Sequence, residues 1–296
     1  MPQITTEDAA LLRQALPPLS TAEVASPLFA QGRGRIAYRE SGAARAPAAV
    51  LLHGIGSQSA GYRAQLAGLA DGFRVIAWDA PGFGHSTPLA LAEPHAEDYA
   101  QALAAFLGAL GIAQAAVLVG SSWGSVVAVT FAARTPAAVR SLVLSAPNTA
   151  RGRLQGEARA AELAALVRAG TTGADRSAVA DRLLTPDTPA AVREPVERLR
   201  DAVTPEGWRQ AAHMLFTVHT PDLLPQYPGP IAIVAGTADQ VAPLQAHGAV
   251  LQAAVPAATL HVLEGYGHMP KLEAPARFNA IVRAAAPDGD RGAAAA

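Results

Sequence analysis

Gly120-Ser121-Ser122-Trp123-Gly124 stands between an apolar run, residues 115–119, and a stretch with helical spacing, residues 126–133. A serine with glycine two positions before and two after it, at a strand-to-helix junction, marks a strained turn that lifts a hydroxyl clear of a sheet. The flanking positions must be small because the incoming strand and outgoing helix nearly touch there. Only Ser122 has glycine at both offsets; Ser121 and Ser125 do not. Such a turn implies a strand followed directly by a helix, the repeating unit of a layered α/β sheet.

A serine nucleophile needs a base, a group that orients the base, and a site for the oxyanion. Each has a candidate. The apolar run 231–235 ends in Gly236-Thr237-Ala238-Asp239, which puts Asp239 just past the end of a strand. The next strand-like run, 259–263, leads through Glu264-Gly265-Tyr266-Gly267 to His268, on a loop at the same sheet edge. Upstream, Val50-Leu51-Leu52 runs into His53-Gly54-Ile55-Gly56, a turn able to aim a backbone N–H at an oxyanion. A second N–H comes from Trp123, the residue after the serine. The chain order Ser, Asp, His differs from the orders found in the chymotrypsin and subtilisin folds.

These pieces, together with Asp79-Ala80-Pro81-Gly82-Phe83-Gly84-His85-Ser86 and Gly267-His268-Met269-Pro270 followed by Glu273 and Pro275, resemble the α/β-hydrolase superfamily. The closest likeness is to the branch with a helical cap inserted after the sixth strand, and it spans roughly residues 24–285. The resemblance implies a triad of Ser122, Asp239 and His268, and an oxyanion hole from the N–H groups of Ile55 and Trp123. Relatives with aspartate at the nucleophile position are excluded by Ser122. Some relatives place the acid after strand six; here that strand is followed by Ala146-Pro147-Asn148, so Asp239 keeps the role.

The rest of the chain fits an α/β architecture, a doubly wound, mostly parallel eight-stranded sheet. Strands are expected at 24–29, 35–39, 50–53, 74–78, 116–119, 141–144, 231–235 and 259–263, and a helix at about 96–110. The last four strands are short, apolar and unalternating, as strands buried on both faces are. After Asn148 the alternation stops, and only helical patterning follows, at 154–167, 176–184, 189–203 and 208–218. This divides the chain into a core of residues 20–148 and 219–286, a helical cap or lid of 149–218, and tails of 1–19 and 287–296. Gly54, Trp208, Met214 and Phe216 are the candidate pocket residues.

With 296 residues, half of them hydrophobic, the chain can bury a large core. A net charge of −1 leaves no electrostatic footprint for nucleic acid or an anionic membrane. Cysteine is absent, which removes disulfides and thiolate metal sites. No His/Asp/Glu cluster has metal-ligand spacing, so no metal and no cofactor are expected. No signal-peptide pattern and no long apolar run is present, giving a cytoplasmic expectation, as monomer or homodimer. The only lysine is Lys271.

His53 and Asp79 read as loop-holding groups, and His213 and His219 as locally satisfied. The expected reaction is hydrolysis of a small to medium, largely apolar ester or lactone under an uncharged lid, as in a carboxylesterase. Three alternatives stand beside it. Hydrolases of vinylogous diketones share Pro81-Gly82-Phe83-Gly84 and a helical lid, but usually carry tryptophan where this chain has Met269. Proline iminopeptidases share Ser122-Trp123-Gly124-Ser125 and need lid carboxylates, for which Glu157, Glu162, Glu194 and Glu197 are candidates. A small-molecule receptor of this fold would keep the triad and turn over slowly.

Overall fold

A computed structural model describes residues 4–171 and 175–287. Helix α1 (Thr6–Arg13) precedes the strands β1 (Leu19–Ala25), β2 (Arg33–Ser41) and β3 (Ala48–Leu52). Then come α2 (Arg63–Gly68), β4 (Arg74–Trp78), α3 (Ala96–Ala109), β5 (Val117–Ser121), α4 (Trp123–Arg134) and β6 (Leu142–Ser145). Five helices follow before the next strand: α5 (Gly156–Thr171), α6 (Arg176–Leu183), α7 (Ala190–Leu199), α8 (Pro205–Met214) and α9 (Thr220–Leu223). The chain closes with β7 (Ile231–Gly236), α10 (Gly248–Ala254), β8 (Thr259–Leu263), α11 (Pro270–Glu273) and α12 (Pro275–Ala285).

The eight strands form one sheet in the order β1-β2-β4-β3-β5-β6-β7-β8. The β1–β2 and β2–β4 pairs are antiparallel and the other five pairs parallel. Side chains alternate across the sheet with period two. Val50, Leu52, Ile76, Trp78, Leu118, Leu142, Leu144 and Ile233 join one apolar cluster. Their neighbours Ala49, Leu51, Val75, Ala77, Val117, Val119, Val143 and Val234 join a second on the opposite face. Burial of both faces explains why these strands read as continuous apolar runs.

Two expectations need correction. The first strand lies at Leu19–Ala25, not 24–29. It is one of the two edge strands and mostly exposed, so it lacks the apolar signal of the inner strands; Ser26 and Pro27 start the turn that follows. The expected N-terminal tail also contains helix α1, started by a capping box in which Thr5 and Asp8 satisfy each other's backbone N–H groups. The second Asp8 oxygen accepts from Ala276 N–H at 2.9 Å, so α1 docks on the start of α12. Of the expected C-terminal tail, residues 288–296 lie outside the described residues. Among the described residues no helix is long and apolar enough to cross a membrane.

The helices between β6 and β7 do not form one packing unit. Ala211, Met214, Leu215 and Phe216, from α8 and its end, belong to the main core cluster. Ala180, Leu184, Val192, Val196 and Leu199, from α6, α7 and the turn between them, form a third cluster with Leu12, Met269 and Leu272. That cluster sits against the segment following His268.

Candidate active site

Strand β5 delivers Ser121 and helix α4 starts at Trp123, leaving Ser122 as the single residue of the turn, at φ 52° and ψ −117°. A non-glycine residue held there stores on the order of 1–3 kcal/mol of strain. The Ser122 N–H donates to the Ser145 carbonyl at 2.9 Å, tying the turn to β6. A Cβ on Gly120 would stand 2.6 Å from the Gly124 oxygen, and one on Gly124 would stand 2.4 Å from the Leu52 oxygen. Neither glycine has a positive φ. The requirement is therefore contact between β3, β5 and α4, not conformational freedom.

Asp239 follows β7 and His268 follows β8, and the two meet at the same sheet edge. Asp239 Oδ2 lies 2.7 Å from His268 Nδ1, with both residues buried. The other oxygen, Oδ1, accepts the N–H groups of Val241 and Ala242, each at 2.8 Å. Burial pushes the Asp239 carboxyl up, but the hydrogen bond from His268, its charge, and the two backbone N–H groups outweigh that and hold it below the ordinary range. A carboxylate so held fixes the imidazole with Nδ1–H toward itself and leaves Nε2 for the cavity. Among the described residues, Ser122 Oγ has no hydrogen bond to His268; both line one cavity. Such bonds commonly tighten only when substrate is bound.

The N–H groups of Ile55 and Trp123 have no acceptor among the described residues. Ile55 lines the cavity, and a Cβ on its neighbour Gly54 would lie 3.3 Å from Ser122 Cβ, so this turn presses directly on the serine. The Trp123 indole is turned away and donates to the Ala211 carbonyl at 2.9 Å, leaving only its main chain at the turn. His53 Nδ1–H faces the Gly54 carbonyl at 2.8 Å, and Nε2 accepts Ala80 N–H at 3.0 Å. Burial pushes this imidazole down to about 4, so it is a neutral brace between two loops. Asp79 braces likewise: Oδ1 accepts Ser59 N–H at 2.7 Å and its carbonyl accepts the Ser86 hydroxyl at 2.6 Å.

The cavity measures about 70 Å³, room for on the order of five waters. Of the four candidate pocket residues, Gly54 and Trp208 line it. Met214 and Phe216 do not; they lie in the main core, because the face of α8 that carries them packs down on the sheet domain. The residues that sequence reading missed are Val179, Arg182, Leu183, Val196, Leu199 and Arg200 from α6 and α7, with Lys271 from α11. The face that the helical segment turns to the cavity is charged, against the expectation of an uncharged lining. Arg182 and Arg200 line the cavity, and the Arg200 guanidinium sits 4.5 Å above the Trp208 ring. Among the described residues no carboxylate lines it. Glu162 instead pairs with Arg151, and Glu194 with Arg198. His213 and His219 are occupied by Glu93 and Asp222.

The helical segment grips this edge at several places. The His268 N–H donates to the Leu183 carbonyl at 2.7 Å. Gly84 N–H donates to the Ala202 carbonyl, and the Thr204 hydroxyl, which also caps α8, donates to the Gly82 carbonyl. The Asp79–Ser86 run is thus the seat on which α8 starts. Among the described residues, no group of three or more His, Asp or Glu is arranged to hold a metal ion.

A family model described as alpha/beta hydrolase fold matches residues 47–275. An uncharacterized protein of Mycobacterium tuberculosis is 31% identical over 282 residues, covering 84% of this chain and 77% of its own. A 2-hydroxy-6-oxononadienedioate/2-hydroxy-6-oxononatrienedioate hydrolase of Paraburkholderia phymatum is 30% identical over 269 residues, covering 84% of this chain and 89% of that protein. Among solved structures, an esterase of a Rhodococcus species superposes with a TM-score of 0.73 at 27% identity, over 90% of this chain and 98% of that one. With the match spanning most of its length, the chain belongs to the alpha/beta hydrolase fold family.

Proposed function

We propose that the protein is a serine hydrolase that cleaves small to medium carboxylic esters or lactones through an acyl-enzyme on Ser122. The observation that carries this reading is the strained Ser122 turn opening on the same cavity as the 2.7 Å His268–Asp239 pair. His268 Nε2 takes the serine proton as Oγ attacks the carbonyl carbon, while Asp239 holds the tautomer and stabilises the imidazolium. The developing oxyanion is met by the Ile55 and Trp123 N–H groups, a donor of this kind contributing about 2.7–4 kcal/mol. His268 then protonates the leaving alcohol, and water activated by the same imidazole releases the acid. Helices α5–α8 act as the lid, and the small cavity selects small acyl groups.

A second reading is cleavage of a C–C bond in a vinylogous diketone, favoured by the likeness to the Paraburkholderia hydrolase. Met269 lines the cavity at the position where those enzymes usually have tryptophan, which favours the ester reading. The iminopeptidase reading lacks the carboxylate that would hold a substrate amine. A hydrolysis panel of graded esters, lactones, proline amides and a ring-cleavage diketone decides among them. Ester or lactone turnover above about 1 s⁻¹ is the expected result. Turnover of the diketone alone favours the second reading, and turnover far below about 1 s⁻¹ on every substrate favours a receptor.

A further inference from the structure

Lys271 has no part in the mechanism above, yet it lies at the centre of the site. It is the only lysine in the chain, it is 1% exposed, and it lines the cavity with Ser122 and His268. Its Nζ donates to Ser121 Oγ at 2.9 Å, one residue before the nucleophile, and lies 4.8 Å from the centre of the Tyr62 ring. An ammonium has three N–H donors, and the one bond to Ser121 uses a single donor. The groups around it supply no counterion. Glu273, on the same short helix, spends its two oxygens on the N–H groups of Gly267 and Met269. Burial keeps the His53 imidazole and the Tyr62 phenol beside it neutral, and Asp239 is taken up by His268.

A buried amine without a carboxylate is a cost to the fold, and burial brings its pKa down to about 7. An arriving anion would reverse that cost by supplying the missing charge. The remainder of the lining points the same way. Arg200 and Arg182 line the same cavity, neither has a carboxylate partner among the described residues, and the lining holds no Asp or Glu. In a chain whose net charge is −1, this concentration of cations without carboxylate partners among the described residues is local to the site.

We propose that Lys271 is the anion anchor of the site, which takes an ester whose non-reacting end carries a carboxylate, with Arg200 and Arg182 completing the positive lining. This rests on the hydrolase reading of Ser122, and it adds the chemical class of the substrate. The carboxylate docks on Nζ, which keeps its bond to Ser121, and the ester carbonyl is thereby placed against Ser122 Oγ.

Because Lys271 is the only lysine, protein grown on ε-¹³C-lysine gives a single resonance that reports its protonation. Adding the dicarboxylates succinate to suberate to the Ser122→Ala protein should displace that resonance and raise its titration midpoint by about 1 unit or more for at least one chain length. The corresponding diamides should leave it in place. The paired measurement uses wild type on monoethyl dicarboxylates against the ethyl alkanoates of equal chain length, and on carboxymethyl esters against ethyl esters. The charged member should win in one series by about 10- to 100-fold in kcat/KM, and Lys271→Met should collapse that ratio. A resonance indifferent to every dicarboxylate, with equal rates on charged and neutral esters, overturns the anchor while leaving the hydrolase standing. A dicarboxylate-sensitive resonance with no ester cleaved in any series would overturn the hydrolase reading and keep the anion site.

Discussion

The turn around Ser122 and the helices α6–α8 face the same cavity, but they are held in opposite ways. At the turn, main chain meets main chain: a Cβ on Gly124 would strike the Leu52 carbonyl, and Ser122 N–H is fixed to β6. Nothing there adjusts without moving the sheet. The helices are held by side chains and by a few donated bonds, and they divide between two clusters, α8 in the main core and α6–α7 in the smaller one beside Met269 and Leu272. Chemistry is built where the backbone leaves no freedom, and selectivity where side chains can be exchanged. Even within α8 the division recurs, since Ala211 and Met214 anchor in the main core while Trp208 lines the cavity with residues of α6 and α7.

The largest test of this contrast is at the turn itself. Ser122→Ala should lower ester turnover by roughly 10⁴–10⁶-fold and abolish labelling by an organophosphonate, read by intact mass. A label on Ser121 or Ser125 would mean that the wrong serine has been chosen. Asp239→Asn should cost up to about 10⁴-fold in kcat through the wrong imidazole tautomer. If the same change at Asp79 were the costly one, the acid would be misplaced.

The helical segment should respond on a smaller scale and in two distinct ways. Met214→Ala empties part of the main core, so it should destabilise by about 2–5 kcal/mol in urea titrations and leave the acyl-chain profile unchanged. Trp208→Ala widens the cavity and should shift preference toward longer acyl groups by about 1–3 kcal/mol in relative kcat/KM. A profile altered by Met214 and not by Trp208 would reverse the division between anchor and lining.

The most gradual expected effect is a pH dependence of stability, spread over several pH units. In the folded protein Lys271 is held at about 7, below its ordinary value of 10.5. Between those values the unfolded chain binds a proton that the folded chain does not, so stability rises with pH there by at most about 1.4 kcal/mol per unit. Below about 7 both states are charged and the burial cost is present in full. Lys271→Met should therefore gain most over wild type in acid and lose that advantage as pH rises, measured by paired denaturant titrations. Parallel profiles would show that the amine is not buried as described.

Much of the edge that carries the candidate site was legible because it is written in local, contiguous sequence. The glycine spacing around Ser122 and the apolar runs ending at Asp239 and His268 each occupy a few residues, and the sheet brings them together. The inner strands were legible for the same reason, being apolar on both faces. Strand β1 and helix α1 were not, since an exposed edge strand carries no apolar run and the capping box of Thr5 and Asp8 is a polar signal. The pocket face of the helical segment was not legible either. Met214 and Val196 are equally apolar, and only tertiary packing sends one to the core and the other to the cavity. Lys271 did leave a mark, a solitary lysine between His268 and Glu273, whose meaning depends on burial that sequence does not state.

The bond from His268 N–H to the Leu183 carbonyl joins the proposed base to the most exchangeable part of the molecule through atoms that every residue possesses. Replacing the Leu183 side chain alters the cavity wall and leaves that carbonyl where it was. Helix α6 can therefore drift in sequence, generation after generation, and present new surfaces to new substrates while its grip on the imidazole loop is inherited intact. What varies and what must not vary share one residue, separated into its side chain and its main chain.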